Sequence, residues 1–361
     1  MIITFLIGNG FDLNIGLKTK YNDFMKKYAP VKNGDLDGVK KLKQSIGDYL
    51  KAQNEGAEPE INWSSAEEAF GKFTSEFIDV HNGDQQLSES HAHFCQEMAK
   101  YLSQEQERFP LKQISSDKDK LTQIVKDLRD VTNGLRLVDR NVINSVISNI
   151  GEGYTFNFLD FNYTNVLDNI IDALRENRVL GQRTYRNTNY ENSIGTLIHV
   201  HGTTDFGMVF GVNDESQLNI NIFKDEEPER KRQMIKPLFN EDMGEETDLK
   251  AFRIIENSHV IYVYGMSLGE TDKRWWEEIG KFMKSNANAI AIVHQWEAPS
   301  VGLLPTPYTT YVRHFRDDFV RKTGMDPNDS QGVKNRLFVT NANIFKSLEG
   351  IANVSDQDSG I

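Results

Sequence analysis

The 361-residue chain has a single cysteine, Cys95, so it cannot form an internal disulfide or an all-cysteine metal site. It also lacks any apolar run close to the roughly 20 residues that a membrane helix requires, and no membrane role is expected. The apolar N-terminus has neither a basic flank nor a small-residue cleavage site, which indicates a buried strand rather than a signal peptide. These absences predict a protein of the reducing cytoplasm.

The chain also has fewer basic than acidic residues. The chain has 41 basic and 53 acidic residues, a net charge of −12, whereas non-specific binding to nucleic acid needs a positive surface. The basic stretches at 230–232 and 313–322 are interleaved with acids, as is typical of solvated helix faces. The charge balance therefore argues against non-specific binding to nucleic acid. At about 150 residues per domain, the length allows two domains, or one domain with an insertion.

Six short apolar runs are continuous rather than alternating, which is typical of strands covered on both faces. Helical patterns lie between most of them, and this alternation indicates a mostly parallel sheet with helices on both sides. The sequence therefore predicts a Rossmann-like α/β fold. The runs are Ile2–Ile7, Thr155–Phe161, Thr196–Val200, Val260–Tyr264, Ala289–Val293 and Arg336–Val339.

The long stretch between the first two runs carries helical spacing and almost no strand signal. We interpret it as a large all-helical insertion after the first strand. Within it, Ser64 and Ser65 ahead of Glu67 and Glu68 indicate a helix start with a serine cap. The predicted division is a nucleotide-binding domain over 1–30 and 151–345, a helical insertion over 31–150, and a flexible tail over 346–361.

The most distinctive local feature is Gly8-Asn9-Gly10, directly after the first predicted strand. Glycines there let a ligand approach the main chain, and the N–H groups of a following helix can receive a phosphate. Leu13 stands where the common G-x-G-x-x-G fingerprint has its third glycine, so the turn alone leaves two alternatives open. It either binds a nucleotide or is a tight turn with Asn9 in the left-handed conformation. Asp12 either caps the helix or binds a ribose hydroxyl.

Two later strands also end in residues suited to catalysis. Asn162 follows the second strand and can orient water or a sugar hydroxyl; alternatively, it or Thr164 caps the next helix. The third strand ends at His199-Val200-His201-Gly202, where alternation places both histidines on one face. His201 is either an acid–base catalyst or a core histidine whose hydrogen bonds are made within the protein. No third metal ligand has diagnostic spacing, so no metal is expected.

The fourth strand ends in a second glycine turn, Gly265-Met266-Ser267, followed by an acid that opens a helix. Because the carboxyl ends of parallel strands share one edge, Gly265 and Ser267 would border the same crevice as Gly8. Asp272 would contact a ribose or cap the helix.

Taken in order, these segments closely resemble the bacterial AbiH family of phage abortive-infection proteins, from residue 1 to about 285. The resemblance implies a part in phage defence. The segments that carry it are Gly8-Asn9-Gly10-Phe11-Asp12, Gly16-Leu17-Lys18-Thr19-x-Tyr21-x-Asp23-Phe24, Asn62-Trp63-Ser64 with Glu67 or Glu68, Phe161-Asn162-Tyr163-Thr164, His199-Val200-His201-Gly202 and Gly265-Met266-Ser267-Leu268.

That family is in turn distantly similar to the sirtuin-like fold, which binds NAD. Gly8-Asn9-Gly10 stands where sirtuins have Gly-Ala-Gly, and Gly265-Met266-Ser267 stands where they have Gly-Thr-Ser. Asn162 and His201 correspond to the catalytic asparagine and histidine of sirtuins. The four zinc-binding cysteines are missing, so the resemblance does not imply protein deacylation. Sirtuin-like domains in phage defence hydrolyse NAD, and the resemblance implies that activity here.

The predicted function is therefore a defence NAD glycohydrolase, with NAD as the substrate and nicotinamide and ADP-ribose as products. Two alternatives stay open: a nucleotide-binding sensor without turnover, and a metal-dependent nucleic-acid-processing defence enzyme. A phage-derived trigger and homo-oligomerisation through the helical insertion are further expectations. The predicted catalytic residues are Asn162 and His201, and the predicted nucleotide-binding residues are Gly8, Asn9, Gly10, Asp12, Thr19, Gly265 and Ser267.

Overall fold

The computed structural model describes residues 1–56, 58, 63–223, 228–244, 246–300, 306–326, 328 and 330–353. In chain order the strands are β1 (Ile2–Ile7), β2 (Thr155–Asp160), β3 (Gln182–Tyr185), β4 (Thr188–Glu191), β5 (Ser193–His199), β6 (Val260–Tyr264), β7 (Ile290–His294) and β8 (Leu337–Thr340). The α-helices are α1 (Gly10–Ile15), α2 (Tyr21–Tyr28), α3 (Asp37–Asn54), α4 (Trp63–Phe73), α5 (Gly83–Gln106), α6 (Leu111–Ser116), α7 (Lys118–Arg129), α8 (Leu137–Ile147), α9 (Val166–Glu176), α10 (Pro228–Arg232), α11 (Lys236–Asp242), α12 (Thr247–Glu256), α13 (Lys273–Ser285), α14 (Thr306–Lys322) and α15 (Gln331–Lys334).

Six strands form one parallel sheet in the order β5-β2-β1-β6-β7-β8. The chain builds outward from β1 to β2 and β5 on one side, then returns to the centre and builds outward through β6, β7 and β8. This is the doubly wound order of nucleotide-binding α/β folds, and the order reverses between β1 and β6. The predicted Rossmann-like α/β class is confirmed.

The sheet is covered on both faces, which explains why its strands are continuously apolar. Phe5, Phe156 and Phe158 point into a core on one face, where the rings of Phe5 and Phe158 stack with centroids 5.3 Å apart. Leu6 and Val263 point into a second core on the opposite face. The side chains that point into these two cores lose contact with water. This burial stabilises the fold by roughly 25 cal/mol per Å² of apolar surface buried.

The helices between β1 and β2 divide into two groups, and the described residues of that stretch contain no strand. Helices α6, α7 and α8 add Ile114, Leu121 and Ile143 to the first sheet core. Helices α2 to α5 form a separate aromatic core, which includes Phe94, and the later segment around Phe210 completes it. The helical stretch is thus tied to the sheet on one side and reaches over its carboxyl edge on the other.

Two outer segments are more ordered than the sequence suggested. The polar excursion after α9 forms the β3–β4 hairpin, whose turn residues Arg186 and Asn187 have φ of 45° and 65°. Residues 346–353 do not form the flexible tail expected there, because Leu348 and Ala352 are fully buried against the first sheet core. The remainder of that predicted tail, 354–361, lies outside the described residues.

Two features of the surface concern membrane-spanning helices and basic charge. In the described ranges, no helix has both the length and the apolar character needed to cross a membrane. The basic run at Arg230, Lys231 and Arg232 is fully engaged in ion pairs, with Asp84, Glu215 and Asp242 among the partners. It is thus a solvated, charge-balanced helix end.

Candidate functional site

A cleft of about 1010 Å³ opens at the carboxyl edge of the sheet, above the point where the strand order reverses. Residues from all the predicted motifs meet there, although they lie far apart in the sequence. The predicted residues that line the cleft are Gly8, Asn9, Gly10, Asp12, Asn162, His201, Gly265 and Ser267. The remaining predicted residue, Thr19, is buried behind the first turn.

The two glycine turns form the floor of this cleft by packing against each other. A Cβ on Gly8 would lie 2.8 Å from the carbonyl oxygen of Gly265, and one on Gly10 would lie 2.4 Å from the Gly265 Cα. The N–H groups of Gly8 and Gly10 donate to the carbonyls of Tyr264 and Gly265, both at 2.9 Å. Because these two N–H groups already connect the two turns, they are not available to hold a phosphate, contrary to the phosphate-binding role that the sequence suggested for the main chain here.

Asn9 has a right-handed conformation, with φ −54° and ψ −22°, so the alternative of a left-handed Asn9 is wrong. Two hydrogen bonds to Thr19 fix the side chain of Asn9. The Thr19 hydroxyl donates to Asn9 Oδ1 at 2.6 Å, and Asn9 Nδ2 donates to the Thr19 carbonyl at 3.0 Å. Thr19 therefore supports a lining residue instead of lining the cleft itself.

Asn162 does not cap the following helix, whose N-cap is Asn165. Its side chain lines the cleft and is buried, yet neither amide atom has a hydrogen-bond partner among the described residues. Buried polar groups are normally satisfied, so a vacant donor and acceptor in a cleft indicate a ligand-facing group. Thr164 does not cap the helix either, because its hydroxyl donates to Asp12 Oδ2 at 2.9 Å.

Asp12 lies in the first turn of α1 and makes no capping bond to the helix. Its second carboxylate oxygen, Oδ1, is buried without a partner, and the residue lines the cleft. Burial raises the pKa of Asp12 to about 7, against the smaller opposing effects of the Thr164 hydroxyl and His199. This carboxyl can therefore exchange a proton near neutral pH.

His201 lies at the end of a buried chain of charged groups. Its Nε2 is 3.5 Å from Asp272 Oδ1, the same oxygen is 3.7 Å from Lys236 Nζ, and Lys236 Nζ donates to Glu67 Oε2 at 2.7 Å. The second ring nitrogen, Nδ1, is buried with no partner in the described structure. All four side chains line the cleft, so this chain of charged groups holds the imidazole of His201 at the cleft wall.

The pKa values in this cluster are set by burial and by mutual charge. Burial, reinforced by the ammonium of Lys236, lowers the pKa of His201. Burial tends to raise the pKa of Asp272, but Lys236 and His201 outweigh it and hold this pKa below its usual value. Burial raises the pKa of Glu67 to about 7. Burial tends to lower the pKa of Lys236, but the carboxylates of Glu67 and Asp272 outweigh burial and raise this pKa. At neutral pH, His201 is a neutral imidazole beside an ionised carboxylate.

His199 does not share a face with His201, because β5 ends at His199 and the chain turns immediately after it. His199 Nε2 lies 2.8 Å from Asp168 Oδ2, and its Nδ1 lies 3.2 Å from the Asn162 carbonyl. Burial alone would lower the pKa of His199, but Asp168 and Asp160 raise it to about 9. The charged imidazole thus fixes the backbone of the segment that carries Asn162.

Ligand atoms of Asp160, Asp168 and His199 all lie within 4.8 Å of one another, a grouping that sequence spacing did not reveal. The three residues come from β2, α9 and β5, so only the fold brings them together. A protonated His199 donating to Asp168 satisfies this group as an ion pair, without requiring a metal ion.

Several residues of the site carried no clear signal in the sequence. Lys236 lies in a segment that we interpreted as a polar excursion, and Glu67 was assigned to a helix start. A helix does start there, but α4 begins at Trp63, so neither serine is its N-cap, and Glu67 is buried and lines the cleft. His294, the last residue of β7, and Trp296, just after the strand, also line the cleft. Asn62, one of the residues in the family resemblance, lies outside the described residues.

The family model described as bacteriophage abortive infection AbiH matches residues 4–294. No curated protein is significantly similar to the chain. The matched range contains most of β1, all of β2 to β7 and every predicted site residue. Because the match covers well over half of the 361 residues, the protein belongs to the AbiH family of bacteriophage abortive-infection proteins.

Proposed function

We propose that this abortive-infection protein binds NAD in the cleft and hydrolyses its N-glycosidic bond. The observation that carries the proposal is the position of the cleft. Doubly wound sheets bind dinucleotides where the strand order reverses, and here the turns after β1 and β6 form the cleft floor at that point. The amide of Asn162, which has no hydrogen-bond partner among the described residues, and the imidazole of His201 line the same cleft.

In the proposed reaction the bond between ribose C1′ and the pyridinium nitrogen breaks, and its electron pair neutralises the ring. Nicotinamide thus leaves without needing a proton. Water adds its oxygen to C1′ and loses a proton, which gives ADP-ribose. The enzyme must orient water and ribose and stabilise an oxocarbenium-like carbon in the transition state.

The residues present suit those tasks. The vacant amide of Asn162 orients the water or a ribose hydroxyl, and the neutral His201 accepts the proton at Nδ1. A positioned general base of this kind typically contributes about 10²–10⁴-fold to the rate. Asp272, on the other side of the ring, stabilises the imidazolium that forms. Asp12, with one free carboxylate oxygen, accepts a hydrogen bond from ribose.

The charges are also appropriate for a cationic transition state. Glu67 and Asp272 flank a single ammonium, Lys236, so the cluster is net negative when Glu67 is ionised. Such a cluster, shielded from water, stabilises developing positive charge on the ribose more strongly than it could in bulk solvent.

The direct test is nicotinamide release from NAD, measured by liquid chromatography on the purified full chain. We expect Asn162→Ala and His201→Ala to reduce release at least 100-fold. Asn149→Ala and His81→Ala, at exposed positions outside the cleft lining, should retain wild-type rates.

Abortive-infection enzymes can stay silent until a phage triggers them, so the same variants should be compared in infected cells. We expect cellular NAD to fall and ADP-ribose to rise with the wild type but not with Asn162→Ala. Protection from phage with unchanged NAD would contradict hydrolysis. If the activated protein binds NAD without cleaving it, the protein is instead a nucleotide sensor.

A further inference from the structure

The cleft continues beyond Asn162 and His201 to the carboxyl end of β7. There the residues 294–297 form its wall. In the sheet order, β2 and β7 lie on opposite sides of β1 and β6, three strand spacings apart. That separation is roughly 14 Å at the usual strand spacing. A ligand that reaches both walls must therefore span about that length, as a dinucleotide does.

Trp296 is the exposed aromatic side chain of this second wall. Its exposed fraction is 52%, whereas Trp275 and Trp276 are buried in the sheet core. Its ring meets the ring of His294 edge-on, with centroids 4.6 Å apart at 89°. An indole that is held on one side and open to a cleft on the other offers a flat stacking surface.

His294 holds this indole from the interior of the protein. Its ring stacks on Tyr264 with centroids 4.6 Å apart at 28°, and only 2% of the residue is exposed. Neither ring nitrogen has a hydrogen bond of normal geometry within the described residues. Burial lowers the pKa of His294 to about 4, against a smaller opposing effect of the Asn341 backbone. The ring is therefore a neutral donor and acceptor at the cleft wall.

We propose that Trp296 and His294 form the subsite for the purine base of a dinucleotide, with Trp296 stacking on the base and His294 hydrogen-bonding to its edge. This inference rests on the proposed function, because the nicotinamide ribose must lie near Asn162 and His201 for its bond to break. The other nucleotide then crosses the β1–β6 floor and ends at β7. Aromatic stacking accepts any flat base, while a buried neutral imidazole with open hydrogen-bonding positions favours a base with complementary groups on its edge.

The test uses the full chain and two probes that separate the ends of the dinucleotide: ADP and nicotinamide mononucleotide. We expect Trp296→Leu to weaken ADP binding about tenfold or more, measured as Kd by calorimetry. Binding of nicotinamide mononucleotide should change less than about twofold, because its base lies at the opposite wall. Trp296→Phe keeps a stacking ring and should restore most of the ADP affinity.

A second variant tests the nitrogen atoms of His294 separately from its packing. His294→Phe keeps a ring against Tyr264, and we expect it to weaken ADP binding several-fold while leaving nicotinamide mononucleotide unaffected. Circular dichroism and the melting temperature verify that each variant is folded.

The outcomes distinguish this subsite from the proposed reaction. Equal ADP affinity in wild type and Trp296→Leu, or no ADP binding to the wild type, overturns the subsite. NAD cleavage with an unchanged KM in Trp296→Leu likewise overturns the subsite but supports the reaction. Trp296-dependent ADP binding without any NAD cleavage in infected cells supports the subsite and contradicts the reaction.

Discussion

Gly10 and Gly265 lie in direct backbone contact, with the N–H of Gly10 donating to the carbonyl of Gly265 at 2.9 Å. Gly265 has φ of +69°, a conformation that disfavours any side chain, and a Cβ there would lie 2.7 Å from the Gly10 Cα. The packing of the two turns against each other already requires glycine at both positions, whether or not a ligand is bound. Their contact closes the gap between the turns that follow β1 and β6, and these turns line the floor of the cleft.

The first prediction follows from this contact. Gly10→Ala should destabilise the protein by about 1–3 kcal/mol even without ligand, since its Cβ meets backbone that cannot move aside cheaply. Gly47→Ala is the matched control, because it lies within α3 with nothing within 4 Å of its Cβ. The control should be neutral or stabilising by up to about 1 kcal/mol. Denaturant melts of the apo proteins compare the two; equal stability would show that the turns can separate.

The second prediction concerns the support of Asn9 by Thr19. Thr19→Val removes the hydroxyl that donates to Asn9 Oδ1. We expect the Kd for ADP-ribose to rise about fivefold, the equivalent of roughly 1 kcal/mol for one hydrogen bond. Calorimetry on Thr19→Ser, which restores the hydroxyl, should recover the affinity. Thr122→Val removes a comparable hydroxyl bond on the exposed face of α7 and should leave the affinity unchanged.

Much of the fold could be predicted because a parallel sheet covered on both faces requires continuous apolar strands. The bounds of Ile2–Ile7 and Val260–Tyr264 were predicted without error for this reason. The convergence of Asn162 and His201 on one cleft was predictable as well, because both follow parallel strands and the carboxyl ends of such strands share an edge. Their proposed roles remain predictions.

The partners of these residues could not be predicted, because they depend on tertiary packing. Lys236 and Glu67 are 169 positions apart and lie in segments whose local pattern is polar and helical, respectively. No periodicity indicates that α4 and α11 both reach the cleft. The separation of His199 from His201 depended on where β5 ends, and alternation applies only while the strand continues.

The third prediction is a stability effect at Asp160. Burial raises its pKa from 3.8 to about 8, so between those values the folded state holds a proton that the unfolded state has released. Stability therefore falls as the pH rises through this range. Asp160→Asn cannot ionise and keeps the oxygen that accepts from the Asn162 N–H. The melting temperature of the variant relative to wild type should rise steadily from pH 5 to pH 8.

Asp168→Asn is the contrasting variant, since it removes the partner of His199. A histidine whose folded pKa is raised contributes stability that is full below its unfolded pKa and is lost as the pH rises through about 9. Asp168→Asn should therefore lower the melting temperature at pH 6, and this loss should shrink toward pH 9. A pH-independent difference for Asp160→Asn would show that Asp160 is already ionised in the folded protein.

The last prediction concerns the control of His201 by the buried charges. His201 must be neutral to accept a proton, so the acid limb of kcat/KM should report its pKa, which lies below 6.5 in the wild type. Lys236→Met removes a cation that lowers this pKa, so the limb should move to higher pH. Asp272→Asn removes a carboxylate that raises this pKa and should move the limb to lower pH. Titration of the His201 ring by NMR gives the same shifts without relying on turnover.

Opposite shifts in the two variants would separate electrostatic control from damage to the fold, because damage alone has no preferred sign. Breaking a buried pair by removing one partner costs about 3–5 kcal/mol, so both variants should melt at lower temperature than wild type. Lys72→Met, which breaks the exposed pair with Glu68 on the same helix as Glu67, should change neither the melting temperature nor the pH profile appreciably. Shifts of the same sign in Lys236→Met and Asp272→Asn would contradict control of the His201 pKa by the charges of Lys236 and Asp272.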